Sequence, residues 1–366
     1  MKKFLPPTLS FYLIRNYFLN FLILLLALLG IIYLFDTVEL LRRAAKMDNI
    51  PLSLTLTMGL YKLPEVGQLI FPFAILFSAM LSFWQLNRRH ELVIVRSSGL
   101  SVWQFILPMI LVAMMIGMFK VAVINPLGAL FISKYEQMES QYLERKSNLI
   151  VLSEQGLWLR QENETGNAIL HAERIKMPEW ALNKVMVFFF APDRTFLKRI
   201  DAGSAVLEEG AWTFRDAYIN APRQVTDQAD FLTLSTDLTK DDLQNSFAAK
   251  ETISFWKLPS YIKILENTGF DSTALKIHFQ NLLAQPLLYI AMVLLAASVS
   301  LRPPRLRGTS VLIVSGVIIG FVVFFASSFM QALGASQQIP VMVAAWFPAL
   351  ICFILGIGAL MVLEDG

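Results

Sequence analysis

The sequence has little charge, one cysteine and three histidines, and each scarcity closes off a class of chemistry. Asp, Glu, Lys and Arg make up 16% of the 366 residues, against 55% hydrophobic residues. The mean hydropathy is +0.55, far too apolar for a soluble globular chain of this size. The chain is therefore read as an integral membrane protein. Its lone cysteine, Cys352, lies within an apolar run, which excludes a disulfide framework and a cysteine-based metal site. His90, His171 and His278 fall in three separate regions and do not make one metal site. No Gly-Lys dipeptide occurs, so the phosphate-cradling loop G-x-x-x-x-G-K-[ST] is excluded, and with it nucleotide hydrolysis by that route. Titratable groups near the apolar stretches are also few. Glu65, Lys120 and His278 come nearest, each expected at or close to a helix end, which disfavours an ion or proton carrier with a buried relay. No inverted repeat is evident.

What the chain has instead is six apolar windows, residues 17–36, 66–86, 102–124, 279–301, 309–333 and 341–363. Each is long enough to cross a hydrocarbon core of about 30 Å, which takes about 20 helical residues. The first is too long for a signal-peptide core and lacks a small-residue cleavage site, so it reads as a retained span. Lys and Arg in short loops prefer the cytoplasm. Lys2, Lys3 and Arg15 precede span 1, Arg88, Arg89 and Arg96 join spans 2 and 3, and Arg302, Arg305 and Arg307 join spans 4 and 5. Both termini are then expected to be cytoplasmic, with the long segment between spans 3 and 4 on the far side. Arg42, Arg43 and Lys46, after span 1, run against this bias.

Between spans 3 and 4 the composition becomes that of a water-soluble domain. Stretches such as "GNAILHAERI", "NKVMVFFFAP", "SAVLEEGAWTFRDAYI" and "DFLTLSTDL" are short, rich in β-branched and aromatic residues, partly alternating, and punctuated by Gly, Asn, Asp and Pro. They predict an inserted antiparallel all-β domain of about 100 residues, a sandwich or an open jelly roll. The expected organisation is membrane spans 1–3 in residues 1–133, the β domain with flanking helical segments in 134–275, and spans 4–6 in 276–366. Before the strands, "LFISKYEQMESQYLERKSN" has helical spacing and extends span 3 beyond the membrane. After them, "FWKLPSYIKILENTGFDSTALKIHFQ" reads as a short amphipathic helix, a turn at Gly269 and the entry to span 4. Residues 134–275 hold 16 Lys and Arg against 21 Asp and Glu, so the chain's net positive charge resides in the membrane part.

The segment "NRRHELVIVRSSGLS" (87–101) links spans 2 and 3. Leu92, Val93 and Val95 lie around a short amphipathic helix, Glu91 sits near its start where a carboxylate suits the helix dipole, and Gly99 fits its end. Such a helix either lies on lipid headgroups or docks into a partner. Here the sequence resembles the LptF/LptG permeases of the lipopolysaccharide-export ABC transporter. The resemblance covers essentially the whole chain and is carried by four stretches. They are "LPEVGQLIFPFAILFSAMLSFWQLNRRHELVIVRSSGLS", "SEQGLW" at 153–158, "LPSYIKILENTG" at 258–269 and "QPLLYIAMVLLAASVSLRPPR" in span 4. "SEQGLW" is nearer to the LptG branch.

The resemblance implies a six-span permease with a periplasmic β-jellyroll, in the bacterial inner membrane. It implies a heterodimer of two homologous permeases on a cytoplasmic ATPase dimer, with a single-span partner carrying its own periplasmic β domain and a periplasmic bridge protein beyond. Lipopolysaccharide is then the substrate, ATP is hydrolysed by the partner, and no cofactor, metal or nucleic acid is called for. The 87–101 helix would couple to the ATPase, with Arg88, Arg89, Glu91 and Arg96 as its charged residues; the family's "ELxVxxxxG" glutamate matches Glu91. Basic residues at the outer end of span 1 meet lipopolysaccharide in the family, which makes Arg42, Arg43 and Lys46, together with Lys62, the candidate substrate-binding residues. Tyr33 stands where some members carry a lysine, which moves the charge toward the rim. The alternative for this cluster is an interfacial anchor paired with Asp36, Glu39 or Asp48. For the whole chain, the alternative is a non-transporting membrane scaffold or sensor with a ligand-binding β domain.

Overall fold

The computed structural model describes residues 6–47, 50–91, 94, 97, 101–144, 149–153, 156–163, 166–176, 181–191, 195–208, 210–222, 226–236, 250–268, 270–301 and 309–365. Arg96, Gly99, Gly269, Arg302, Arg305 and Arg307 lie outside the described residues, as do Leu92, Val93 and Val95. The chain divides into two units. One comprises residues 1–139, 254–256 and 273–366, the other 140–253 and 257–272.

Six helices of the first unit are long and apolar enough to cross a membrane. Helix α1 (Pro7–Ala44) opens with proline at its first position, where no N–H is needed, and α2 (Leu52–Arg88) starts after Pro51. Helix α3 (Val102–Phe119) is opened by Ser101, whose hydroxyl accepts the Trp103 N–H while Gln104 accepts the N–H of Ser101, a reciprocal cap. It passes through a π-helical turn, Lys120–Ile124, into α4 (Asn125–Glu139), and this whole stretch makes up span 3. Helices α6 (Thr273–Ser300), α7 (Thr309–Ala335) and α8 (Val341–Asp365) complete the set. The expected windows find all six, but the first three helices run well past them. At 1.5 Å per residue the 38 residues of α1 extend about 57 Å, nearly twice a hydrocarbon core, and α2 and span 3 are comparably long. Their polar end turns lower the local hydropathy and so fall outside any apolar window.

The core is built on α2, α3 and α6: Phe71, Ile75, Phe83, Phe105, Ile106, Met109, Tyr289 and Met292 are all at most 5% exposed. Gly117 lets α3 approach α6 closely, since a Cβ there would lie 2.7 Å from the Pro286 Cα.

The π turn has a local cause. Pro126 brings no N–H to the carbonyl of Ala122, four residues earlier, and the Trp256 indole N–H donates to that carbonyl instead at 3.2 Å. Asn125, 2% exposed, accepts the Phe255 backbone N–H at 2.8 Å and donates to Gln68 of α2 at 3.1 Å. Phe255 stacks on Phe279 of α6 at 5.3 Å. The returning chain is thus pinned to α2, span 3 and α6.

The second unit holds one antiparallel sheet of seven strands in sequential order. The strands are β1 (Leu149–Ser153), β2 (Gly156–Asn163), β3 (Gly166–Lys176), β4 (Ala181–Phe190), β5 (Phe196–Glu208), β6 (Ala211–Asn220) and β7 (Asp227–Ser235). The expected inserted β domain is present. "SEQGLW" holds the β1–β2 turn, where Ser153 pairs with Gly156 and Gly156 takes φ +122°, a backbone open to glycine. One face is a core of Leu157, Leu170, Val187, Ile200, Trp212 and Phe214. The expected amphipathic helix is α5 (Leu258–Thr268).

Candidate functional site

Two charged clusters stand at opposite ends of the long helices. The first joins the C-terminal end of α1, the first half of α2 and the last turns of α4. Arg42 binds Glu39 at 2.9 Å, one helical turn away, and Arg43 bridges Glu39 at 3.3 Å and Glu139 of α4 at 3.1 Å. Lys62 of α2 reaches Asp36 at 3.5 Å and sits 5.9 Å from the ring of Tyr135. Lys134 lies over Tyr61, which in turn packs on Phe131. Lys46 is exposed in the turn that follows α1. The structure therefore brings Arg42, Arg43 and Lys62 into one cluster, and adds Lys134, Tyr61, Tyr135 and Glu139, which sequence reasoning missed. Its only sequence signal was the helical spacing of "LFISKYEQME", which gives no partner 96 residues away.

The pairing with Glu39 and Asp36 is the arrangement expected of an anchor, yet it leaves the cations available. The Arg42 and Arg43 side chains are 70% and 51% exposed, and solvent screens exposed ion pairs one turn apart. A guanidinium presents a planar fork that fits phosphate in a bidentate manner. Flanking tyrosine rings supply apolar walls beside charged heads, a lining suited to an amphiphile.

The second cluster lies at the other end of α2. Arg88 stacks on Trp84 at 5.2 Å. Arg89 closes the helix, and its guanidinium donates to Tyr12 of α1 at 3.4 Å. The Tyr12 hydroxyl donates to the Glu91 carboxylate at 3.2 Å, and Arg89 and Glu91 approach to 3.9 Å. His90 between them takes φ 60°, a left-handed residue that turns the chain out of α2. The Glu91 side chain remains one-third exposed, at the start of the segment read as a coupling helix. Of the four coupling candidates, Arg88, Arg89 and Glu91 come together here.

Two residues expected at helix ends are not there: Glu65 stands well inside α2, and Lys120 stands well inside span 3. It sits in the π turn at the middle of a continuous helical span, 2% exposed, and donates to Gln285 of α6. The apolar window ended where the helix did not, because Asn125–Pro126 reads as a stop signal. Among the described residues no group of three or more His, Cys, Asp or Glu could hold a metal ion.

Comparison with known proteins yields a match to the family described as lipopolysaccharide export system permease LptF/LptG, over residues 11–362. The chain is 28% identical over 321 residues to the lipopolysaccharide export system permease protein LptG of Escherichia coli (strain K12), covering 83% of this chain and 85% of that one. It is 23% identical over 338 residues to the protein of the same name from Haemophilus influenzae (strain ATCC 51907 / DSM 11121 / KW20 / Rd), covering 90% of this chain and 92% of the relative.

Proposed function

Since the chain belongs to the LptF/LptG family of lipopolysaccharide export permeases, we propose that it is the LptG-type permease subunit of an ABC transporter that extracts lipopolysaccharide from the inner membrane. The observation that carries this reading is a family match spanning both sets of membrane helices and the β insert. The chain works with a second, homologous permease, a cytoplasmic ATPase dimer that hydrolyses ATP, and a single-span partner with a periplasmic β domain. A periplasmic β-jellyroll bridge receives the lipid. Both termini face the cytoplasm, the β domain is periplasmic, and the chain needs no cofactor of its own.

Each buried methylene is worth about 0.8 kcal/mol, so moving several bare acyl chains through water would cost tens of kcal/mol. One nucleotide cycle does not meet such a cost, and the lipid must be sheltered at each step. Apolar faces left open on α1 and α7 supply one wall of a chamber closed by the second permease. Arg42, Arg43, Lys46 and Lys62, at the periplasmic level, bind the phosphates and acidic sugars of the headgroup. At the cytoplasmic end Arg88, Arg89, Glu91 and Arg96 dock the ATPase.

The test is a complex reconstituted in proteoliposomes with its ATPase and partners. Arg42→Glu combined with Arg43→Glu is expected to cut lipopolysaccharide crosslinking at α1 and export together, while assembly and basal hydrolysis persist. If that variant crosslinks and exports like the parent, the cluster is an interfacial anchor. Glu91→Lys is expected to weaken ATPase docking or uncouple hydrolysis from export. A helix merely resting on anionic lipid would instead tolerate the added charge or bind more tightly.

A further inference from the structure

Helix α1 carries a polar seam that the substrate cluster does not use. In the apolar run "YFLNFLILLL" Asn20 is the one amide, 8% exposed, and it donates to two acceptors on α2, the Ser82 hydroxyl at 2.8 Å and the Gln85 side chain at 3.2 Å. Ser82 in turn donates to the carbonyl of Ser78 at 2.8 Å, which fixes its oxygen toward α1. Eight residues earlier, about 12 Å along the helix, Tyr12 bonds Arg89 and Glu91. Leu13, Tyr17 and Phe21, on the same stripe, are buried in the core with Phe71, Ile75, Phe83 and Leu86. Helix α1 is therefore fastened to α2 at two levels on this end, one dry and one wet.

We propose that Tyr12 and Asn20 are positioning residues that make α1 and α2 move as one body when force is applied at residues 88–91. This rests on the permease reading above and adds to it a route from the ATPase surface to the helix that carries Arg42 and Arg43. The two attachments do different physical work. Asn20 bonds its partners where no water competes, so separating the helices there leaves polar groups unsatisfied in an apolar setting. Tyr12 is partly solvated and adds little stability. Its hydroxyl, though, donates to the carboxylate that meets the partner and accepts from the arginine beside it, and so holds Glu91 in register with the first turns of α1. Two fixings about two turns apart resist rotation of α1 about either one, as a single contact would not.

The experiment uses the complete complex in proteoliposomes, with lipopolysaccharide, and reads four quantities: ATPase bound per complex, basal hydrolysis, lipopolysaccharide-stimulated hydrolysis, and lipid exported per ATP. Tyr12→Phe removes one hydroxyl and leaves the packing. It is expected to keep bound ATPase and basal hydrolysis at parental levels, and to lower export per ATP roughly three- to tenfold, the size of losing one ordinary hydrogen bond. Asn20→Leu is expected to lower the same ratio at least as much. In a Glu91→Ala background, which removes the acceptor, Tyr12→Phe should cause no further loss, because the hydroxyl acts through that carboxylate. Unchanged export per ATP in Tyr12→Phe, or losses that simply add to those of Glu91→Ala, would overturn the proposal. If Asn20→Leu fails to assemble, Tyr12→Phe decides alone. A parent complex with no lipopolysaccharide-dependent hydrolysis or export sinks the permease reading itself, which separates that failure from this one.

Discussion

Helices α2 and α1 are almost equally long and equally apolar on average, yet 61% of the apolar window of α2 is buried within the chain against 11% for α1. The same division runs through the rest. Span 3 and α6 are 44% and 56% buried, while α7 and α8 are 17% and 28%. Three helices form an inner group packed on one another, and three lie on its outside with far fewer of their side chains buried. Among the uncovered ones, Ile23, Leu26, Leu34 and Phe35 of α1 and Phe321, Phe325 and Phe329 of α7 are more than half exposed. In water such a surface would drive aggregation. In a bilayer it meets acyl chains at no cost. The outer helices thus keep one face on the inner group and leave the other open, as α1 does where Asn20 and Tyr12 hold it to α2.

Paired substitutions sharpen this contrast, the most damaging first. Gly117→Leu forces a side chain into the Pro286 backbone, and is expected to abolish accumulation of folded protein in the membrane. Gly30→Leu on α1, where a Cβ meets nothing within 4 Å, should accumulate normally. Equal yields for the two would break the comparison outright. At the Lys120–Gln285 contact, Gln285→Leu strands a buried amine and is expected to cost about 3 kcal/mol by thermal denaturation in detergent, toward the upper end for a buried polar group losing its partner. Lys120→Met removes the polar group itself and should be neutral or stabilising. Asn125→Ala deprives the Phe255 N–H and the Gln68 side chain of their partner, and is expected to cost about 1–2 kcal/mol in the same measurement. Last, Phe325→Leu on the open face of α7 is expected to move the isolated chain by no more than about 0.5 kcal/mol. A larger loss would mean that the α7 face is already covered within the chain.

Much of this plan was legible in the sequence. A run of about 20 apolar residues has few alternatives to a membrane helix, so all six spans were readable, as were the short alternating strands of the insert. The ends of the helices were not. Asp36–Arg43 on α1 and Tyr61–Glu65 on α2 are polar enough to read as loop, because a hydropathy window registers contact with lipid and not continuity of hydrogen bonding. In span 3, Asn125–Pro126 looks like a terminus, whereas a π turn and the Trp256 indole carry the helix through. The two charged clusters were readable as lists of Arg, Lys and Glu, but their assembly was not. Arg43 meets Glu139 across 96 residues and Tyr12 meets Glu91 across 79, and no local pattern encodes a contact at that range.

The Asn125–Phe255 contact closes a loop of 130 residues, which sets an order on the birth of this protein. When α3 and α4 leave the ribosome, Gln68 of α2 is already there for Asn125, but Trp256 and Phe255 have not yet been made. They stay unmade until the whole β insert has been synthesised and the chain has turned back. Only then do Phe255 and Trp256 arrive, with α6 following at once to supply the other wall. The interrupted helix is therefore completed by a segment of the helical unit that is made only after the strands of the insert. Assembly of the bundle doubles as a check that the inserted strands have been made in full.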